Sequence, residues 1–221
     1  MSGVLALVGG DEFREACTFD SELLEASGGS DVVVLPTAAA YEHPARAVES
    51  AAAHFERLGG KAAGLMVLNR RDAHEEANVH AVRNSRFTYL TGGSPMHLVS
   101  VLKETPLWDA LVAAWNDGAV LAGSSAGAMV LCDPMVDPRG GAFTLGLGLV
   151  AQLALIPHHE RWSEDKAKRT IDLAREDLPI AGIDSQTALL RDPDGSWRTA
   201  GAGEVVVFCN GQQTDLSALP Q

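Results

Sequence analysis

Short apolar runs alternate with longer amphipathic stretches along most of this chain. Val4 to Val8 reads as a buried strand ending at Gly9-Gly10. Asp31 to Pro36, β-branched and apolar on both faces, reads as a second strand of the kind found inside parallel sheets. Apolar residues at helical spacing (Val48, Ala51, Ala52, Phe55, Leu58) predict a helix over Pro44 to Leu58, which Gly59-Gly60 stops. Ala63 to Leu68 reads as a third strand, Ala73 to Arg83 as a polar helix, and Phe87 to Leu90 as a strand ending at Thr91-Gly92-Gly93. Leu98 to Trp115 carries one or two helices broken near Pro106. An apolar strand over Gly118 to Ala122 then runs through Gly123-Ser124-Ser125-Ala126-Gly127-Ala128 into a second apolar run, Met129 to Leu131. A glycine-rich connection (Gly140 to Gly148), a strand at Leu153 to Ile156 and a helix from Glu164 to Glu176 capped by Ser163 follow. The tail reads as short strands at Ile180 to Asp184, Thr187 to Leu190, Trp197 to Ala200 and Glu204 to Cys209, parted by turns such as Asp192-Pro193-Asp194-Gly195.

This alternation predicts an α/β fold in a single domain over residues 1–221. The expected architecture is a doubly wound, mostly parallel sheet with helices on both faces, a three-layer α/β/α sandwich with a small C-terminal antiparallel addition. In such sheets the working residues gather at the carboxyl ends of the strands. Gly9-Gly10, Gly92-Gly93 and the serine turn all fall there, and should converge.

Composition narrows the function. Net charge is -12 with no basic stripe, which argues against nucleic acid and against anionic membrane surfaces as partners. The three cysteines, Cys17, Cys132 and Cys209, are widely spaced and form no C-x-x-C, so neither a disulfide framework nor a zinc site is expected. The start, Met1-Ser2-Gly3, has no basic leader, and no apolar run approaches the roughly 20 residues of a membrane span, so a cytoplasmic setting is expected.

The serine turn carries the chemistry. A serine between strand and helix, with small residues two positions either side, has the logic of a G-x-S-x-G nucleophile elbow, with Ser125 projecting above the strand ends. The Ala126 N–H at the helix start would face an oxyanion formed at a carbonyl attacked by Ser125. A serine hydroxyl needs a base, and histidine serves near neutral pH. His54, His74 and His80 fall in surface helices and read as solvated; His43 and His97 lie near strand ends. His158, which follows Leu155-Ile156-Pro157 at a strand end, is the expected base, and His159 a strand-end residue beside it. An acid must orient the base. Asp133, Asp137, Glu160 and Asp184 are candidates, with Asp184 and Asp137 ranked above the others and not separated. No histidine follows His159, so the Ser–acid–His order of the α/β-hydrolases is excluded.

Gly123-Ser124-Ser125-Ala126-Gly127-Ala128 resembles the G-x-S-A-G-A elbow of the S51 peptidases, the family of aspartyl dipeptidase and cyanophycinase. Further segments agree in order: Leu90-Thr91-Gly92-Gly93-Ser94 with Leu98 and Leu102 to Leu107, Ile156-Pro157-His158, and Ala181-Gly182-Ile183-Asp184-Ser185-Gln186-Thr187-Ala188. The resemblance implies a class I glutamine-amidotransferase-like sandwich with serine replacing the cysteine. It implies Ser125 as nucleophile, His158 as base and the N–H groups of Gly93 and Ala126 as oxyanion hole. It also implies amide bonds next to acidic residues as substrates, with no metal or organic cofactor. Two departures stand out. The cyanophycinase-like acid, a Glu after the Asp of that last segment, is here Ser185, which leaves Asp184 or Asp137 as acid. The arginine cluster after the histidine is not reproduced, which argues against cyanophycin as substrate. A serine peptidase acting on a small peptide or amide is therefore expected. The alternative is a non-catalytic small-molecule binding member of the same fold, which the missing Glu favours. Glutamine amidotransfer is disfavoured by serine in place of a thiolate, and whether the chain forms a homodimer stays open.

Overall fold

The computed structural model describes residues 1–29 and 31–220. Its centre is a seven-stranded sheet. Five strands run parallel: β1 (Leu5–Val8), β2 (Asp31–Leu35), β3 (Lys61–Gly64), β4 (Phe87–Leu90) and β5 (Val120–Ser124). They lie in the order β1-β5-β4-β2-β3. Among the described residues seven α-helices accompany the strands: α1 (Phe19–Ala26), α2 (Pro44–Arg57), α3 (Glu76–Arg83), α4 (Pro95–Leu102), α5 (Pro106–Asn116), α6 (Ala126–Leu131) and α7 (Glu164–Asp172).

Both faces of the sheet are buried, as the continuous apolar runs require. On β1, Leu5 and Leu7 enter one core with Val82 of α3, Leu98 of α4, Leu107 of α5 and Leu131 of α6. Ala6 and Val8 enter the other with Phe19 and Leu23 of α1 and Phe55 of α2. The period-2 alternation of a strand thus feeds two helical layers. Helices α4 and α5 are separate because each opens on a proline behind a capping hydroxyl: Ser94 accepts from the His97 N–H, and Thr105 from the Trp108 N–H.

The tail strands pair antiparallel with one another, as the sequence predicts, but they divide between two sheets. Strands β6 (Ala154–Pro157), β7 (Ile180–Ile183), β10 (Val205–Cys209) and β11 (Gln212–Thr214) make a second sheet, in which β6 and β7 are parallel. Strands β8 (Thr187–Arg191) and β9 (Trp197–Gly201) instead close the main sheet beside β1, antiparallel. Every run has its strand, but a short strand does not declare its partner. Helix α1 was not predicted, because only Phe19, Leu23 and Leu24 mark its buried side. Strand β3 begins earlier than its apolar run, since register with β2 starts at Asp31 opposite Lys61, and Val67 is buried beyond the strand.

Candidate active site

The turn after β5 is sharp. Ser125 has φ 50° and ψ −109°, a strained conformation for a residue with a side chain, and it directly precedes the first residue of α6. A Cβ on Gly123 would lie 2.5 Å from the Gly127 carbonyl oxygen, and one on Gly127 would lie 2.4 Å from that of Leu90. Only glycine at both positions lets strand and helix meet this closely.

The glycine pairs converge on this corner as expected. A Cβ at Gly92 would stand 3.4 Å from that of Ser125. Gly93 (φ 137°) packs on Ala38, where a side chain would come within 2.3 Å of the carbonyl oxygen. The Gly93 N–H has no protein acceptor among the described residues, and the Ala126 N–H is the first of α6.

The end of β1 anchors the main chains of both Ser125 and His158. The Ser125 N–H donates to the Val8 carbonyl at 2.9 Å, and the His158 N–H donates to the next one, Gly9, at 2.8 Å. His158 follows β6 with φ 48°, which turns its imidazole onto Gly10. A Cβ there would sit 2.2 Å from Nε2.

No candidate acid sits directly on His158 Nδ1; Ser185 does, with Glu160, one of the four candidates, behind it. His158 Nδ1 lies 2.9 Å from Ser185 Oγ, and Ser185 Oγ donates to Glu160 Oε1 at 2.5 Å. The Ser185 main-chain N–H donates to Glu160 Oε2 at 3.0 Å. Burial opposes ionisation of Glu160, but the bonds from Ser185 outweigh it and hold the carboxyl below its usual range. Asp184 instead accepts from the Glu204 N–H at 3.0 Å and lies 3.9 Å from His159 Nδ1. Asp137 is gripped by Arg139 through Nε and a second guanidinium nitrogen, at 2.9 and 2.8 Å, which pulls its carboxyl down to about 2. Asp133 accepts from the Gly146 N–H. None of these three meets His158 Nδ1. A strand-end position is not enough, because neighbouring main-chain and guanidinium donors take up each carboxylate first.

Three further placements were not legible. Glu12 accepts from the Gly92 N–H at 2.9 Å and from Ser124 Oγ at 2.7 Å, tying the loop after β1 to both the Gly92-Gly93 turn and the turn after β5. Its signal is its position two residues past the Gly9-Gly10 strand end. Arg161, half exposed, pairs with Asp11 and lies 3.2 Å from Glu160. His54 is not solvated but buried, its Nε2 2.9 Å from Asp20 in the core under that loop. Of the other histidines, His97 bonds the Leu68 carbonyl, and His43 lines a cleft of about 290 Å³ with Glu12, Glu42, Arg46 and Gly92. Among the described residues no group of three or more His, Cys, Asp or Glu is arranged to hold a metal ion.

A serine on a strained strand-to-helix corner of a mostly parallel sheet, with a histidine on the adjacent carbonyl, defines a hydrolase-type α/β site. The model of Peptidase family S51 matches residues 5–196, and the chain belongs to that family. Cyanophycinase of Synechococcus elongatus is 25% identical over 92% of this chain and 67% of its own length. That of Trichormus variabilis is 27% identical over 69% of this chain and 55% of its own. A peptidase from an acI-B1 Actinobacterium superposes with a TM-score of 0.86 at 31% identity, covering 97% of this chain and 93% of the other. A candidate peptidase E protein of Listeria monocytogenes EGD-e shares the fold, with a TM-score of 0.71 at 21% identity over 92% of this chain. These likenesses support a hydrolase.

Proposed function

We propose that the chain is a serine-type peptidase or amidohydrolase acting on a small peptide or amide next to an acidic residue. The observation that carries this reading is the strained Ser125 corner, with His158 held on the carbonyl that follows Ser125's own acceptor. In the reaction, His158 Nε2 takes the Ser125 proton as Oγ bonds to the amide carbon. The oxyanion lies between the Gly93 and Ala126 N–H groups. As the C–N bond breaks, His158 returns the proton to the leaving amine, and water then releases the acyl group by the same steps. Names of the relatives, cyanophycinase and peptidase, favour the same bond type.

A non-catalytic binding member is the second reading, favoured by serine rather than carboxylate on His158 Nδ1. Amine release from a dipeptide panel with Asp, Glu or Ala at the N-terminus separates the two. Turnover of the acidic members that disappears in Ser125→Ala is expected. Binding of those dipeptides without turnover would contradict the enzyme.

A further inference from the structure

We propose that the Ser185 hydroxyl and the Glu160 carboxylate together position His158, as a serine-bridged relay in place of a carboxylate set directly against the imidazole. This rests on reading His158 as the base of Ser125.

The donor count fixes the relay's direction. Glu160 receives both the hydroxyl and the main-chain N–H of Ser185, at 2.5 and 3.0 Å, and an ionised carboxylate only accepts. The hydroxyl proton therefore points at Glu160. Ser185 Oγ, 2.9 Å from His158 Nδ1, is left as the acceptor, so Nδ1 carries the ring proton and Nε2 the lone pair. That is the tautomer a general base needs, chosen by the bond its other nitrogen makes. When Nε2 takes the Ser125 proton, the imidazolium charge faces the carboxylate at one remove. No proton moves along the relay: Ser185 keeps its own and Glu160 stays ionised.

The relay is braced at both ends. Arg161 Nε lies 3.2 Å from Glu160 Oε1, and the same guanidinium pairs with Asp11. Asp11 follows Gly10, the residue against which the His158 ring packs. Behind Ser185, the Gln186 N–H donates to the Gly10 carbonyl at 2.8 Å. Glu160, Arg161 and Asp11 are charged groups around the bridge, with His159 and Asp184, 3.9 Å apart, next to Glu160 and Ser185 in the chain, and the one loop holds the ring, the arginine and the serine's neighbour.

Ser185 and Glu160 should then act as a unit, non-additively. The test is the second-order rate of labelling by a fluorophosphonate–rhodamine probe, followed against pH in folded full-length protein. Ser185→Ala and Glu160→Gln are each expected to slow labelling on the order of 10²-fold, and the double variant no further. Ser185→Thr keeps the hydroxyl and is expected to restore the rate. In Glu160→Gln the acid limb moves to lower pH, because no carboxylate favours the imidazolium; a merely structural role would leave it in place. Thermal melting of each variant separates misfolding from a lost relay, and the isosteric Glu160→Gln carries the test if Ser185→Ala does not fold. Wild-type rates in both single variants, or losses that multiply in the double, would overturn the relay while Ser125-dependent labelling persisted. Labelling that persists in Ser125→Ala would instead overturn the hydrolase reading itself.

Discussion

At Ser125 backbone and chemistry coincide. A positive φ lifts the side chain off the strand while its own N–H stays bonded to Val8. Strain of this kind persists only where the surroundings over-determine it, and here two glycines and a strand end do so. Glu160 shows the opposite economy, a partly exposed carboxyl made useful by hydrogen bonds from one residue. Because its folded pKa is depressed, its contribution to site order is present above the ordinary carboxylate range and fades as pH falls through its folded value. His54 carries a different prediction. Arg57 donates to its Nδ1 at 3.2 Å, so Nε2 carries the proton given to Asp20, a buried carboxylate with its second oxygen unpartnered. His54→Ala strands that carboxylate and is expected to cost about 3 kcal/mol, read as a lower urea midpoint; an unchanged midpoint would refute the pairing. At this scale local spacing in the sequence singled out Ser125 and His158 as candidates, and the structure anchors the main chains of both at the end of β1. Ser185 stood in view only as the place where a carboxylate was missing. Its bond to Glu160 links residues 25 apart that no local pattern connects.

The elements are where the glycines act. Gly10, at φ 127°, ends the turn beneath the His158 ring, and an added methyl would lie 2.0 Å from Cε1. Gly10→Ala must therefore displace the imidazole, and a fall in amide turnover on the order of 10²-fold is expected, the size of a lost general base. Turnover at the wild-type rate would show that the ring does not work from this position. The parallel strands and the long helices were legible because their apolar periods are unambiguous. Helix α1 was not, since it buries few residues and takes no side-chain cap from Thr18. The tail strands were seen one by one, but their division between two sheets depends on partners more than a hundred residues away, such as β1 for β8.

Over the whole molecule, two cores on opposite faces of one sheet hold the carboxyl ends of β1, β4 and β5 in register, and the site is assembled on those three ends. The second sheet delivers His158 from β6 and, just past β7, Ser185, so its parallel pairing sets the distance between the two. The split of the tail thus places Ser185 against His158. No helix among the described residues is long and apolar enough to cross a membrane. The central claim is that Ser125 is a nucleophile activated by His158. Intact mass after treatment with a fluorophosphonate tests it most directly, on wild type, Ser125→Ala and His158→Ala. One adduct per wild-type chain, mapped to the Ser125 peptide and absent from both variants, is the predicted result. A folded wild type that takes up no adduct, or one that carries it elsewhere, would contradict the account.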